Sequence, residues 1–187
     1  RRHHRDCTRT VEPIERDGRR GERTVIQTPR GSLQSVRFFE PTYQTGWTEE
    51  HFIKTPADYD VLTAWLDDEV IVADPEPLEC ARRELGDDGL PLVRVDRTAF
   101  QQLWIQWVSL DDLVCHMLDE PERVATCIAA LQRRHREVFA IVESLDVDFV
   151  DVPDNITAPV IGEGWFRQYC LPDYVELAGM VDVPVYV

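Results

Sequence analysis

The 187 residues carry 20 basic against 35 acidic side chains, a formal charge of −15, with 43% hydrophobic residues and twelve prolines. That length and composition describe one globular domain able to bury a core without a metal or disulfide, and no apolar run approaches the roughly eighteen residues of a membrane span. The charge is unevenly placed: residues 1–37 hold ten arginines against five acids, the remainder ten basic residues against thirty acids, and so acidic a body excludes nucleic acid as its partner.

The chain opens on the basic segment 1–23, which is expected to be a solvated, loosely ordered arm. It lacks the apolar stretch of a secretory signal and does not begin with Met, so the chain is expected to be a piece of a longer protein. Cys7, Cys80, Cys115, Cys127 and Cys170 are widely spaced and form no C-x-x-C pair, which points to buried small hydrophobes in a reducing cytoplasm. His3, His4 and Cys7, and the neighbours Cys115 and His116, are metal-ligand types without the paired spacing of a structural zinc site.

Residues 24–39 read as a hairpin, with Pro29 and Gly31 at turn positions between a β-branched run and Leu33–Phe39. Thr55 and Pro56 open a helix whose face is Tyr59, Leu62 and Leu66; Glu76–Leu85 is a second helix ended by Gly86. Leu90–Val95 reads as a strand and Ser109–Asp119 as a helix. Trp104 and Trp107, three residues apart, either pack a core or stack a planar ligand. From Pro121 to Leu145, Val124, Ile128, Leu131, His135, Val138, Val142 and Leu145 recur at steps of four and three, the stripe of one long helix with His135 as a packing residue. Val147–Val152 is a strand running into a polar end, followed by a helix over Glu163–Cys170, a break at Pro172, a helix over Tyr174–Met180 and a last strand, Val183–Val187. Helix and strand alternating in this order predict parallel βαβ units. Ending on a strand leaves a sheet edge through which self-association is expected.

The polar end of the Val147–Val152 strand is the candidate site. In parallel α/β sheets ligands bind beyond the carboxyl ends of the strands. Asp154 is there as an acid or base, Asn155 as an oriented donor and acceptor and Thr157 as a hydroxyl contact, or the three form a polar strand cap. Tyr169 and Tyr174 flank the Pro172 break, from which they either reach a pocket or pack the core.

Six segments resemble one family in their order along residues 24–187: Thr28-Pro-Arg-Gly-Ser-Leu33, Lys54-Thr-Pro-Ala-Asp-Tyr59, Leu118-Asp-Glu-Pro-Glu-Arg-Val124, Phe149-Val-Asp-Val-Pro-Asp-Asn-Ile-Thr157, Ile161-Gly-Glu-Gly-Trp-Phe166 and Tyr169-Cys-Leu-Pro-Asp-Tyr174. Together they are similar to the uroporphyrinogen decarboxylase-like superfamily, which includes the corrinoid (cobalamin-dependent) methyltransferases. The resemblance implies an incomplete (β/α)8 TIM-type barrel, its N-terminal half, over residues 24–187 and preceded by the hairpin. It implies a lyase or methyltransferase acting on a tetrapyrrole or in corrinoid-linked methyl transfer. Asp154 and Asn155 would be catalytic, with Trp107, Thr157 and Tyr169 binding substrate. Zinc and a corrinoid belong to the methyltransferase branch, whose His-x-Cys motif would follow Val187. The R-x-x-G-R-Y motif of the decarboxylases has no match at Arg16–Arg20, which tilts the expectation slightly toward the methyltransferase-like or an uncharacterised branch. The alternative is a catalytically silent half-barrel with a binding or structural role.

Overall fold

The computed structural model describes residues 1–43 and 45–187. Contacts divide the chain into two units. One consists of His3–Val70 and Leu103–Ala130; the other of Arg1–Arg2, Ile71–Gln102 and Leu131–Val187. Two short strands, β1 (Arg2–His4) and β6 (Glu69–Ile71), fall at the sequence boundaries between them.

The first unit is built on an antiparallel meander of β2 (Thr8–Arg16), β3 (Arg19–Thr28), β4 (Gly31–Glu40) and β5 (Thr45–Glu50), in that order. Between β2 and β3 the chain turns on Asp17 and Gly18, both at positive φ (53° and 73°), the geometry of a two-residue hairpin whose twist matches its strands. The β3–β4 hairpin closes on Pro29 and Arg30, within the 24–39 hairpin read from sequence. Helix α1 (Asp58–Asp68) packs on β3 and β4 through Tyr59, Leu62, Trp65 and Leu66, all buried. Ile26, Leu33, Val36 and Phe38 are buried on the sheet. Helix α4 (Leu110–Asp119) begins at Ser109, whose hydroxyl caps the Asp112 N–H at 3.1 Å.

The segment 1–23, expected to be a loose arm, is instead drawn into strands. Asp68 explains part of this. Its carboxylate accepts the consecutive main-chain N–H groups of Arg5 (3.0 Å), Asp6 (3.1 Å) and Cys7 (2.9 Å), chiefly the last of which hold its pKa below the usual carboxylate value. The His4 ring stacks on Trp65 with centroids 3.5 Å apart.

The second unit holds a parallel sheet of three short strands, β7 (Val93–Arg94), β8 (Val150–Asp151) and β9 (Val185–Tyr186), with β8 central and parallel to both neighbours. Its core is Val95, Phe139, Val142, Val147, Val150, Val152, Leu177 and Val181. Val95, Val147, Val150 and Val152 come from the strands and their flanks; Phe139 and Val142 come from α5 (Pro121–Ser144), which belongs to this unit from Leu131 onward, and Leu177 and Val181 from α7 (Leu171–Met180) and the residue after it. Helix α2 occupies Glu76–Leu85, as read from sequence. His135 is 3% exposed on the buried stripe of α5.

The incomplete (β/α)8 barrel is therefore not the observed fold. Half such a barrel is a run of alternating parallel strands and helices, whereas β2, β3, β4 and β5 form an antiparallel meander and the parallel strands pair over two residues each. Residues 8–40 turn after two residues at Asp17-Gly18 and again at Pro29-Arg30, which leaves no chain for crossover helices. Among the described residues no helix is long and apolar enough to cross a membrane.

Candidate functional site

A helix that starts just after β7 sets the geometry beyond the parallel strands. Helix α3 (Ala99–Gln102) runs into a π-helical turn, Leu103–Trp107. The first N–H groups of a helix have no partner within it and carry its positive end. Two carboxylates from distant parts of the chain meet that need. Thr98 donates its main-chain N–H to Asp154 Oδ1 at 3.0 Å and its hydroxyl to Oδ2 at 2.7 Å. Ala99 donates its N–H to Asp173 Oδ2 at 3.0 Å, and Gln132 of α5 donates to the other oxygen of Asp173 at 2.8 Å.

Asp154 stands three residues past β8, so the central strand aims it at this helix start. The Tyr174 hydroxyl, on α7, also donates to Asp154 Oδ2. Arg97 donates to the carbonyl of Pro153, fixing the main chain one residue before it. Three donors thus converge on one carboxylate that is only partly accessible. Burial nevertheless raises the Asp154 pKa, outweighing the hydrogen bonds from Tyr174 and Thr98 and the nearby charge of Arg97. Asp173, 4% exposed, is raised for the same first cause, against the bonds from Ala99 and Gln132. Burial also pushes the Cys170 thiol up to about 11, so it is protonated and unreactive at neutral pH. The arrangement is a carboxyl that retains its proton to higher pH than an ordinary aspartate, held in a fixed orientation by a hydroxyl, a phenol and an amide.

The sequence-derived candidates separate here. Asn155 exposes its side chain, while its carbonyl accepts from Gln101 Nε2 at 3.3 Å. Thr157 is exposed at the start of α6 (Ala158–Trp165), and its hydroxyl makes no capping bond to the helix. Tyr169 lies in a π-helical turn, Phe166–Cys170, where its ring stacks on Phe100 with centroids 4.9 Å apart and 10° between planes. Trp107 belongs to the first unit, where its ring packs 5.1 Å from Phe52. Its indole N–H is buried without an acceptor among the described residues.

Thr98, Asp173, Gln101 and Arg97 were missed, although Thr98 and Gln101 carry the T-x-x-Q spacing of a capping box. In the structure the Thr98 hydroxyl turns to Asp154 instead. Cys7, Cys127 and Cys170 are buried as expected, but Cys115 is exposed and Cys80 only half-buried. Among the described residues, no group of three His, Cys, Asp or Glu side chains is placed to hold a metal ion. The chain matches no family model, no curated protein and no solved structure.

Proposed function

We propose that the protein is a uroporphyrinogen decarboxylase-like enzyme, or the part of one, that binds a tetrapyrrole or corrinoid beyond the carboxyl ends of its parallel strands. The observation that carries this reading is Asp154: a carboxyl of raised pKa, three residues past the central parallel strand, with the exposed Asn155 beside it. Parallel sheets place ligands at that end. Loss of CO2 from an acetate side chain breaks one carbon–carbon bond and needs one proton in place of the carboxylate. Asp154, whose pKa burial raises, is the group placed to supply that proton, Thr98 and Tyr174 keep it oriented, and Asn155 offers both a donor and an acceptor to the substrate. Zinc-activated methyl transfer, the other activity the resemblance implies, calls for a ligand set that the described residues do not assemble.

One observation favours a second, non-catalytic reading. The same carboxylate meets the unpaired N–H of a helix start, as Asp173 does one residue later, and both act as caps that tie the unit together. Absorbance titration with uroporphyrin and with cobalamin separates the readings. Saturable binding that Asp154→Asn weakens in a folded protein supports the enzyme. No binding by the wild-type protein, with Asp154→Asn changing stability alone, leaves the cap.

A further inference from the structure

The chain after Asn155 forms a feature that the carboxyl network does not use. Ile156, Ile161 and Phe166 wall a cavity of about 450 Å3, with Thr157, Glu163 and Arg167 as polar lining. That volume falls in the range of small-molecule pockets, which combine mostly apolar walls with a few placed polar groups. Four observations say what it would take. Ile156 is 43% exposed, so an apolar surface at this cavity is open to a ligand. Gly162 interrupts α6 with φ 65° and ψ 165°, and a Cβ there would meet nothing within 4 Å, so the kink leaves the space unfilled. Arg167 donates through Nε to Glu163 at 2.8 Å, and its two Nη groups have no partner among the described residues. A guanidinium held by one edge presents the other for a carboxylate. The Thr157 hydroxyl, uncommitted to capping α6, adds a donor.

We infer that this cavity binds a small ring compound bearing one carboxylate, with the ring on Ile156 and Phe166 and the carboxylate on the Nη edge of Arg167. The inference goes beyond the assignment of Asp154 and requires no chemistry from it. The ion pair with Glu163 engages Nε only and is exposed on both sides, so the incoming carboxylate takes the Nη edge without breaking it.

The test is a fluorescence titration with 2-naphthoate, and with 2-naphthalenemethanol as the uncharged counterpart. Saturable binding of naphthoate is expected, weakened roughly fivefold by Arg167→Gln, the size of one exposed charge pair. The alcohol is expected to bind wild type and Arg167→Gln alike, and Phe166→Ala to weaken both compounds. Arg167 is exposed, so Arg167→Gln retains the fold, and circular dichroism verifies this. Absence of saturable naphthoate binding to the folded protein overturns the inference, as does equal affinity of naphthoate for wild type and Arg167→Gln.

Discussion

Thr98 and Asp154, 56 positions apart in sequence, are joined by two hydrogen bonds, one from the main-chain N–H and one from the hydroxyl of the same threonine. The pair locks the start of a helix that follows one parallel strand to the tip of the next. Tyr174 adds a third donor from α7, so three segments meet at one carboxyl.

Removing that carboxyl therefore affects more than chemistry. Asp154→Ala leaves the Thr98 amide and hydroxyl and the Tyr174 phenol without their acceptor. It is expected to cost about 2–3 kcal/mol in urea denaturation, while Asp154→Asn, which keeps one acceptor oxygen, costs about 1 kcal/mol. Equal midpoints for wild type and Asp154→Ala would show that the network contributes nothing to folding.

The raised pKa of Asp154 has a definite sign. A carboxyl that holds its proton more tightly in the folded protein adds stability at low pH, and that contribution is lost as the pH rises through its folded pKa. Asp173 acts in the same direction. The stability of wild type relative to Asp154→Asn is thus expected to increase as the pH is lowered from 7.5 toward 3.8, the ordinary aspartate value. Urea midpoints of the two proteins across that range check it, and a difference that shrinks on acidification would mean the hydrogen bonds outweigh burial.

His135 has the opposite sign over the same window. Burial lowers its pKa to about 4 from the ordinary histidine value, so the folded protein keeps it neutral. Stability is present above pH 6.5 and is lost as the pH falls from there through 4. Against His135→Leu, whose side chain carries no proton, wild type is expected to lose about 3 kcal/mol in total across that range. Parallel pH profiles of the two proteins would place His135 in contact with water.

Gly162 and Gly164 make a matched pair. Gly162→Ala puts a Cβ on a backbone at φ 65° and ψ 165°, a region that only glycine occupies without strain, and is expected to cost about 1–3 kcal/mol. Gly164→Ala, whose Cβ would point into open space, is expected to be neutral or slightly stabilising. Thermal unfolding of the two single variants compares them directly.

The long helices were legible because helical periodicity is strong over long spans. The stripe through Val124, Leu131, His135 and Val142 gave α5 nearly to its last residue, and Gly86 marked the end of α2. The meander was only half read. Asp17-Gly18 is a strong two-residue hairpin signal, but the high arginine content of its surroundings read as a solvated arm. The anchoring of that segment by Asp68 is a tertiary contact across some sixty positions, with no local sequence signal. The barrel expectation failed for a related reason: order of elements along the chain does not specify which strands pair. Of the carboxyl network, Asp154 was legible because polar residues interrupt a valine-rich strand. Thr98 and Asp173 were not, because their partners lie far away in the chain.

The most direct test of the account is a titration of the folded protein with uroporphyrin, followed by the shift of its Soret band, for wild type and Asp154→Asn. Saturable binding that falls about tenfold in the variant is expected, the loss of one hydrogen bond to the ligand. Identical binding curves for the two proteins, or no binding to wild type, would contradict the placement of a tetrapyrrole site at Asp154.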